Sequence, residues 1–269
     1  MAITALHSAA SGLRALSSQI DVVANNLANA ETTAFKRSRV NFEDLMYQAL
    51  RQPGTANSQG DIDPSGIFVG LGTRMDNTQL DLSQGSLEPT NNPYDLAIEG
   101  NGFFAVKLQS AIGNGIGYTR AGNFFLNNKN QLVLGIGPGY QLVPPITIPT
   151  GATEVDIGQD GTIQVLQAGS ATKRTVGQLQ LTQFVNPQGL QLLGGSLYLE
   201  TDASGQPINS QPGQNGTGTI NQGFLEMSNV DPVTELVQLI KTQRAFELNS
   251  QSIQTADQAL QTVANLRRS

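Results

Sequence analysis

Leu6, Leu13, Ile20 and Leu27 recur at intervals of seven, and Ala9, Leu16, Val23 and Ala30 fill the positions three further on. Four uninterrupted heptads dictate a helix whose apolar stripe must be covered by another helix. The same spacing returns at the other end of the chain. Leu239, Phe246, Ile253 and Leu260 are seven apart, Ala256 and Val263 extend the stripe, and Thr242 and Asn249 interrupt it. Asp231 before Pro232 reads as a helix start, a capping acceptor followed by proline at the first helical position, with Glu235 in the first turn. Arg267 and Arg268 lie at the far end, where positive charge suits the helix dipole.

Between these ends the pattern changes. YDLAIE, GFFAVKL, NFFL, QLVL, TIQVL and VGQLQLTQFV are short β-type runs separated by turn residues such as Asp160-Gly161. Residues 52–66, QPGTANSQGDIDPSG, are rich in Pro, Gly and Ser and read as a long loop or extended arm. The fold class is therefore α+β: long N- and C-terminal helices pairing as an antiparallel coiled coil, with a central mostly antiparallel β domain. The expected division is 1–35 with 230–269 as a terminal helical assembly domain, 36–66 as the arm, and 67–229 as a β-rich outer domain. One helix feeds the β domain and the other leaves it, so side by side they must be antiparallel. Roughly 27 and 35 residues at ~1.5 Å each make rods of about 40 and 50 Å.

Such rods are too long to hide on the β domain, and contact along a single seam is marginal for them. Several stripe positions are only Ala, and burying them returns little against the cost of ordering a long helix. The small flank Ala10, Ser11, Gly12, Ala24 and Ala28 stays idle in a two-helix hairpin and suits close packing among many helices. The expectation is that both ends are largely disordered in the free subunit and order when copies assemble. The assembly interface is then Leu6, Leu13, Leu16, Ile20, Val23, Leu27, Leu239, Phe246, Ile253, Leu260 and Val263.

Composition excludes several function classes. A net charge of −6 and a pI near 4.7 argue against a nucleic-acid partner. No cysteine is present, so there is no disulfide framework and no thiolate metal site. Charged residues are 13% of the chain, and 48 Asn and Gln outnumber the 36 charged side chains. Amides hydrogen-bond without the desolvation cost of a buried charge, which suits a surface meant to be covered. The N-terminus lacks a basic leader before an unbroken apolar block, and no apolar run is long enough to span a bilayer.

Nothing in the pattern calls for catalysis or a cofactor. Asp61, Asp63, Ser65 and Gly66 mimic the start of a calcium loop, but the twelfth position is Gly72 and Pro64 stiffens the turn, so an ordinary turn is the better reading. GNGIG at 113–117 lacks the strand-to-helix setting of a nucleotide loop and reads as a hairpin tip. His7, the single histidine, sits beside Ser8 with no acid to orient it. Lys36, Arg37 and Arg39 form the densest basic cluster, with acidic groups on a neighbouring subunit as the expected partners.

ANNLANAETTAFKR at 24–37 resembles the N-terminal signature of the bacterial flagellar axial proteins, the rod and hook family, carried here by Ala24, Asn25, Asn26, Leu27, Ala28, Asn29, Thr33, Phe35 and Lys36. The resemblance continues in SAASGL (8–13), NPYDLAIEGNGFFAV (92–106), YTRAGNF (118–124) and SNVDPVTELVQLIKTQRAFELNSQSIQTADQAL (228–260). NFEDLMYQALRQPG (41–54) and the arm after it resemble one rod branch in particular. The resemblance implies a structural, non-enzymatic subunit of a helical homopolymer crossing the periplasm in the basal body. It also implies several partners: proximal rod and hook proteins, peptidoglycan and outer-membrane ring proteins, and the flagellar type III export apparatus. The rival readings are a proximal rod or hook subunit, or a secreted β-rich binding module on a coiled-coil stalk. One departure stands out: the signature has Gly before Phe-Lys, where this chain has Ala34, so a left-handed backbone there would strain the alanine.

Overall fold

The computed structural model describes residues 2–54, 64–108, 114–169 and 172–266. Helix α1 spans Ala2–Ala28 and helix α2 spans Pro232–Leu266, 27 and 35 residues. The chain divides into two compact units, one of residues 1–28, 38–79 and 231–269, the other of residues 29–37 and 80–230.

In the first unit α1 and α2 pack side by side. Asn26 lies against Glu235, and Gly12 lies against Asn249, so the two helices run antiparallel. A Cβ on Gly12 would sit 3.3 Å from Asn249 Nδ2. The unit also holds β1 (Ser38–Asp44), β2 (Tyr47–Arg51), β3 (Ile67–Gly70) and β4 (Thr73–Leu80), with β1 paired to β4 and β2 antiparallel to β3. Strands β1 and β2 lie where no strand was anticipated. The reason is physical: every residue of β2 is exposed, so the strand has no buried face to impose an alternating pattern.

The second unit is almost entirely β. It runs through β5 (Leu87–Pro89), β6 (Leu96–Glu99), β7 (Phe104–Lys107), β8 (Ile116–Thr119), β9 (Phe124–Leu126), β10 (Leu132–Leu134), β11 (Gln141–Val143), β12 (Ala152–Ile157), β13 (Thr162–Gln167) and β14 (Arg174–Gln178). After these come β15 (Leu181–Gln183), β16 (Gln191–Gly194), β17 (Leu197–Leu199), β18 (Ile208–Ser210), β19 (Thr219–Gln222) and β20 (Phe224–Glu226). A seven-stranded sheet is ordered β16-β17-β8-β7-β11-β10-β9, and a three-stranded sheet β12-β13-β14. The pairings described in this unit are antiparallel.

Strand β7 explains why the FFAV stretch is so apolar. Phe104 and Val106 enter one core cluster, while Phe103 and Ala105 enter another, so both faces are covered and alternation disappears. Phe103 meets Phe184 and Tyr198 edge to face at ring distances of 6.1 and 5.6 Å, and Phe104 meets Phe124 at 5.3 Å. VGQLQLTQFV, read as one run, is divided between β14 and β15.

Candidate assembly interface

Helix α2 starts where its capping residues require. Asp231 Oδ1 accepts the Val233 N–H at 3.0 Å, its other carboxylate oxygen accepts the Thr234 hydroxyl at 2.6 Å, and Glu235 N–H bonds back to Asp231 O. The Thr234 hydroxyl and the Val233 amide hold the Asp231 carboxyl below its usual range.

The heptad stripes are only partly covered by one another. Val23 is buried, whereas Leu6, Leu13, Leu16, Ile20, Leu27, Leu239, Phe246 and Ile253 are half-buried and Leu260 is exposed. The side chain of Val263, residues 55–63 with Asp61 and Asp63, Gly113, Arg267 and Arg268 lie outside the described residues.

The small flank of α1, expected to stay idle in a two-helix hairpin, is partly in use within the single chain. The Ser11 hydroxyl accepts the Thr73 N–H at 3.2 Å, and the Ser8 hydroxyl donates to Gly70 O at 3.3 Å, so this flank seats the loop between β3 and β4. Gly72, at φ +113°, comes so close that a Cβ would stand 2.1 Å from Ser11 Oγ. Ala24 and Ala28 remain exposed.

Asn26, in the signature run, is a buried splint. Its Nδ2 donates to Ser38 O at 2.8 Å and to Glu235 Oε2 at 3.3 Å, while its Oδ1 accepts Ser38 N–H at 3.0 Å. One side chain thus ties the end of α1 to the start of β1 and to the first turn of α2. Ala24, Asn25 and Ala28 are exposed, and Leu27, Asn29, Thr33 and Phe35 are half-buried.

Among the described residues of this unit, two apolar surfaces are bare. On α2, Val233, Leu236, Val237, Ile240 and Leu248 are exposed, Val233 by 69%. At about 100° per residue Val233, Val237 and Leu248 lie on the side of the helix opposite Leu239, Phe246 and Ile253, with Ile240 beside them and Leu236 between the two sides. The helix is therefore apolar on two opposite sides. On β2 and β3, Tyr47, Leu50, Ile67 and Phe68 are exposed, with Met46 just before them. The α2 pattern was legible in the sequence as apolar residues at i, i+4, i+7 and i+15, but the seam across the helix obscured it.

In the second unit the signature ends in a buried ionic clasp. Lys36 Nζ bonds Ser83 O at 2.6 Å, and Arg120 Nε bonds Glu226 Oε2 at 2.8 Å. Lys36 also pairs with Glu226 Oε1, which accepts Gly85 N–H at 3.1 Å. Arg120 is further held by the carbonyls of Ile98, Gly100 and Gly102. Burial pulls the Lys36 ammonium below the lysine value of 10.5, with Glu226 opposing that shift. Lys36 therefore does not reach a neighbouring subunit, contrary to the sequence expectation. Arg37 pairs with Asp81, and Arg39 with Gln79 Oε1, so the whole basic cluster finds partners within its own chain. Ala34 is fully buried at φ +56°, the left-handed backbone that the usual glycine suits.

Among the described residues no group of acidic or histidine side chains is arranged to hold a metal ion. His7 is exposed on α1. Of the 113–117 stretch, Ile116 and Gly117 open β8, and Leu108 N–H bonds Gly115 O just before it. Glu226 and Arg120 were not singled out from the sequence, since no spacing connects residues so far apart.

Three family models match the chain: "Flagella basal body rod protein" over residues 6–36, "Flagellar hook protein FlgE/F/G D1 domain" over 97–165, and "Flagellar basal body rod FlgEFG protein C-terminal" over 221–266. The flagellar basal-body rod protein FlgG of Buchnera aphidicola subsp. Schizaphis graminum (strain Sg) is 48% identical, covering 95% of this chain and 96% of its own. Its counterpart from Caulobacter vibrioides (strain ATCC 19089 / CIP 103742 / CB 15) is 43% identical over 98% of this chain and 99% of its own. That of Bacillus subtilis (strain 168) is 38% identical over 99% and 100%.

Proposed function

The chain belongs to the flagellar basal-body rod protein family, and from that premise we propose that it is a structural subunit of the distal rod. Copies assemble into a hollow helical shaft that crosses the periplasm and passes motor torque to the hook. The relatives named FlgG support the distal branch over proximal rod or hook.

The observation that carries this reading is the second apolar side of α2. A helix apolar on opposite sides needs cover on both, and within its own unit Val233, Val237, Ile240 and Leu248 lack it. The occupant is another copy of the chain: the half-buried seam of α1 and α2 packs as an antiparallel coiled coil, and neighbouring pairs close over the bare side. The apolar hairpin of β2 and β3, with the arm beyond it, adds contacts between copies that stiffen the shaft. Two different bare patches on one subunit make a head-to-tail contact, which propagates into a helix instead of closing as a dimer.

Partners follow from that placement: proximal rod and hook proteins at the two ends, and peptidoglycan and outer-membrane ring proteins around it. The flagellar type III apparatus exports the chain. The amide-rich, charge-poor outer surface limits electrostatic sticking to the rings, and added surface charge should slow rotation. Electron microscopy of the purified chain at rising concentration tests the assembly reading. Tubes or filaments are expected. A chain that stays monomeric at every concentration overturns it.

A further inference from the structure

The chain passes between its two units four times, at residues 28/29, 37/38, 79/80 and 230/231. Next to three of these passages, inside the second unit, one side chain ties its own backbone segment to two others. Asn229 Oδ1 accepts the Arg37 N–H at 2.7 Å, and Asn229 Nδ2 donates to Asp81 O at 2.8 Å and to Ser83 O at 3.2 Å. Its own N–H donates to Phe35 O at 3.3 Å. The segments also bond each other: Asp81 N–H donates to Arg37 O at 2.7 Å, and the Arg37 guanidinium pairs with the Asp81 carboxylate at 3.1 Å.

Only a short amide suits this position. It offers an acceptor and two donors on one planar group, whereas Asp has no donor and Ser has neither the reach nor the second donor. We propose that Asn229 is a positioning residue that binds three of the four passages into a single node, so that none of them acts as an independent hinge. A lone connecting strand bends by rotation about φ and ψ; three strands tied to one another must move together, and the freedom of each is removed. The node belongs to the single chain and holds whether or not copies assemble. Its consequence for a shaft, that load entering one passage is shared by three, rests on the rod reading.

Amide hydrogen exchange on the whole free chain tests the node, comparing wild type with Asn229→Ala and Asn229→Asp. Asn229→Ala should speed exchange at least tenfold at Arg37, whose partner is lost. It should do the same at Asp81, whose N–H does not touch Asn229 at all. Val106 and Leu134, inside the core sheet, should stay unchanged. Asn229→Asp keeps an acceptor for Arg37 but removes both donors, and should open Asp81 at least as much as the alanine does. The proposal is overturned if exchange rises at Arg37 alone, or at neither site, in whichever variant folds. Since the readout is taken on the unassembled chain, failure of the rod reading leaves it intact.

Discussion

Lys36 Nζ lies 2.5 Å from Glu226 Oε1, and both side chains are fully shielded from solvent. Arg120 shares the same carboxylate through its other oxygen. Two cations on one anion make the members unequal. Removing Glu226 leaves two buried positive charges facing each other, whereas removing Lys36 leaves an intact Arg120–Glu226 pair.

Glu226→Ala should therefore cost about 3–5 kcal/mol of stability. Lys36→Met, which keeps the buried stem, should cost about 1–3 kcal/mol. Urea unfolding of the second unit, followed through its tyrosines, reads the difference. Equal losses would mean that Arg120 is not an alternative partner for the carboxylate. Lys36→Glu should fail at the level of folding, before any question of assembly arises.

Ala34 holds a left-handed backbone while its methyl fills the core. Ala34→Gly relieves about 1 kcal/mol of strain but surrenders roughly 0.8 kcal/mol of buried methyl, so the midpoint of unfolding should barely move. Ala34→Val has neither the space nor the conformation and should destabilise by several kcal/mol. A large gain from glycine in the same urea titration would show that the methyl contributes nothing.

Gly72 stands against Ser8 and Ser11 of α1. Gly72→Ala should lift the β3–β4 loop off the helix at a local cost of about 1–3 kcal/mol, because the backbone is strained and the Cβ has nowhere to go. Limited proteolysis near Thr73 should quicken while the second unit stays resistant. Ser11→Ala should not rescue it, as Ser8 Cα would still lie 3.1 Å from the new Cβ.

Ile240 is half exposed on the bare side of α2, about 120° round the helix from Phe246. Ile240→Asp should change the stability of the free chain by no more than about 0.5 kcal/mol. It should nevertheless abolish concentration-dependent association in sedimentation. Unaltered association would remove this side of the helix from the contact between copies.

Local periodicity announced the two helices, the cap at Asp231 and the core strands around Phe104, because each of these leaves its mark within a few residues of sequence. Strand β2 left none, being exposed throughout, and β1 left none because Ser38, Asn41 and Glu43 are among its half-buried residues, so no apolar alternation shows. Individual amides are ambiguous for a related reason. Their number suits a surface awaiting cover, while Asn26 is buried and Asn229 half-buried between backbone segments, and Gln222 joins Val155 and Ile157 to Pro93. Whether an amide faces water or bridges two backbones depends on what the fold brings beside it.

The chain alone thus determined that rods flank a β-rich middle and that their apolar stripes demand helical partners. That follows from the short-range repeat of side-chain directions along a helix, which needs no knowledge of the rest. Only the tertiary structure decided that Lys36 meets Glu226, that Asn229 gathers three passages, and that α2 keeps a second apolar side open. Those outcomes join residues up to 192 positions apart. Burial and charge pairing are settled by proximity in space, which spacing along the chain does not encode.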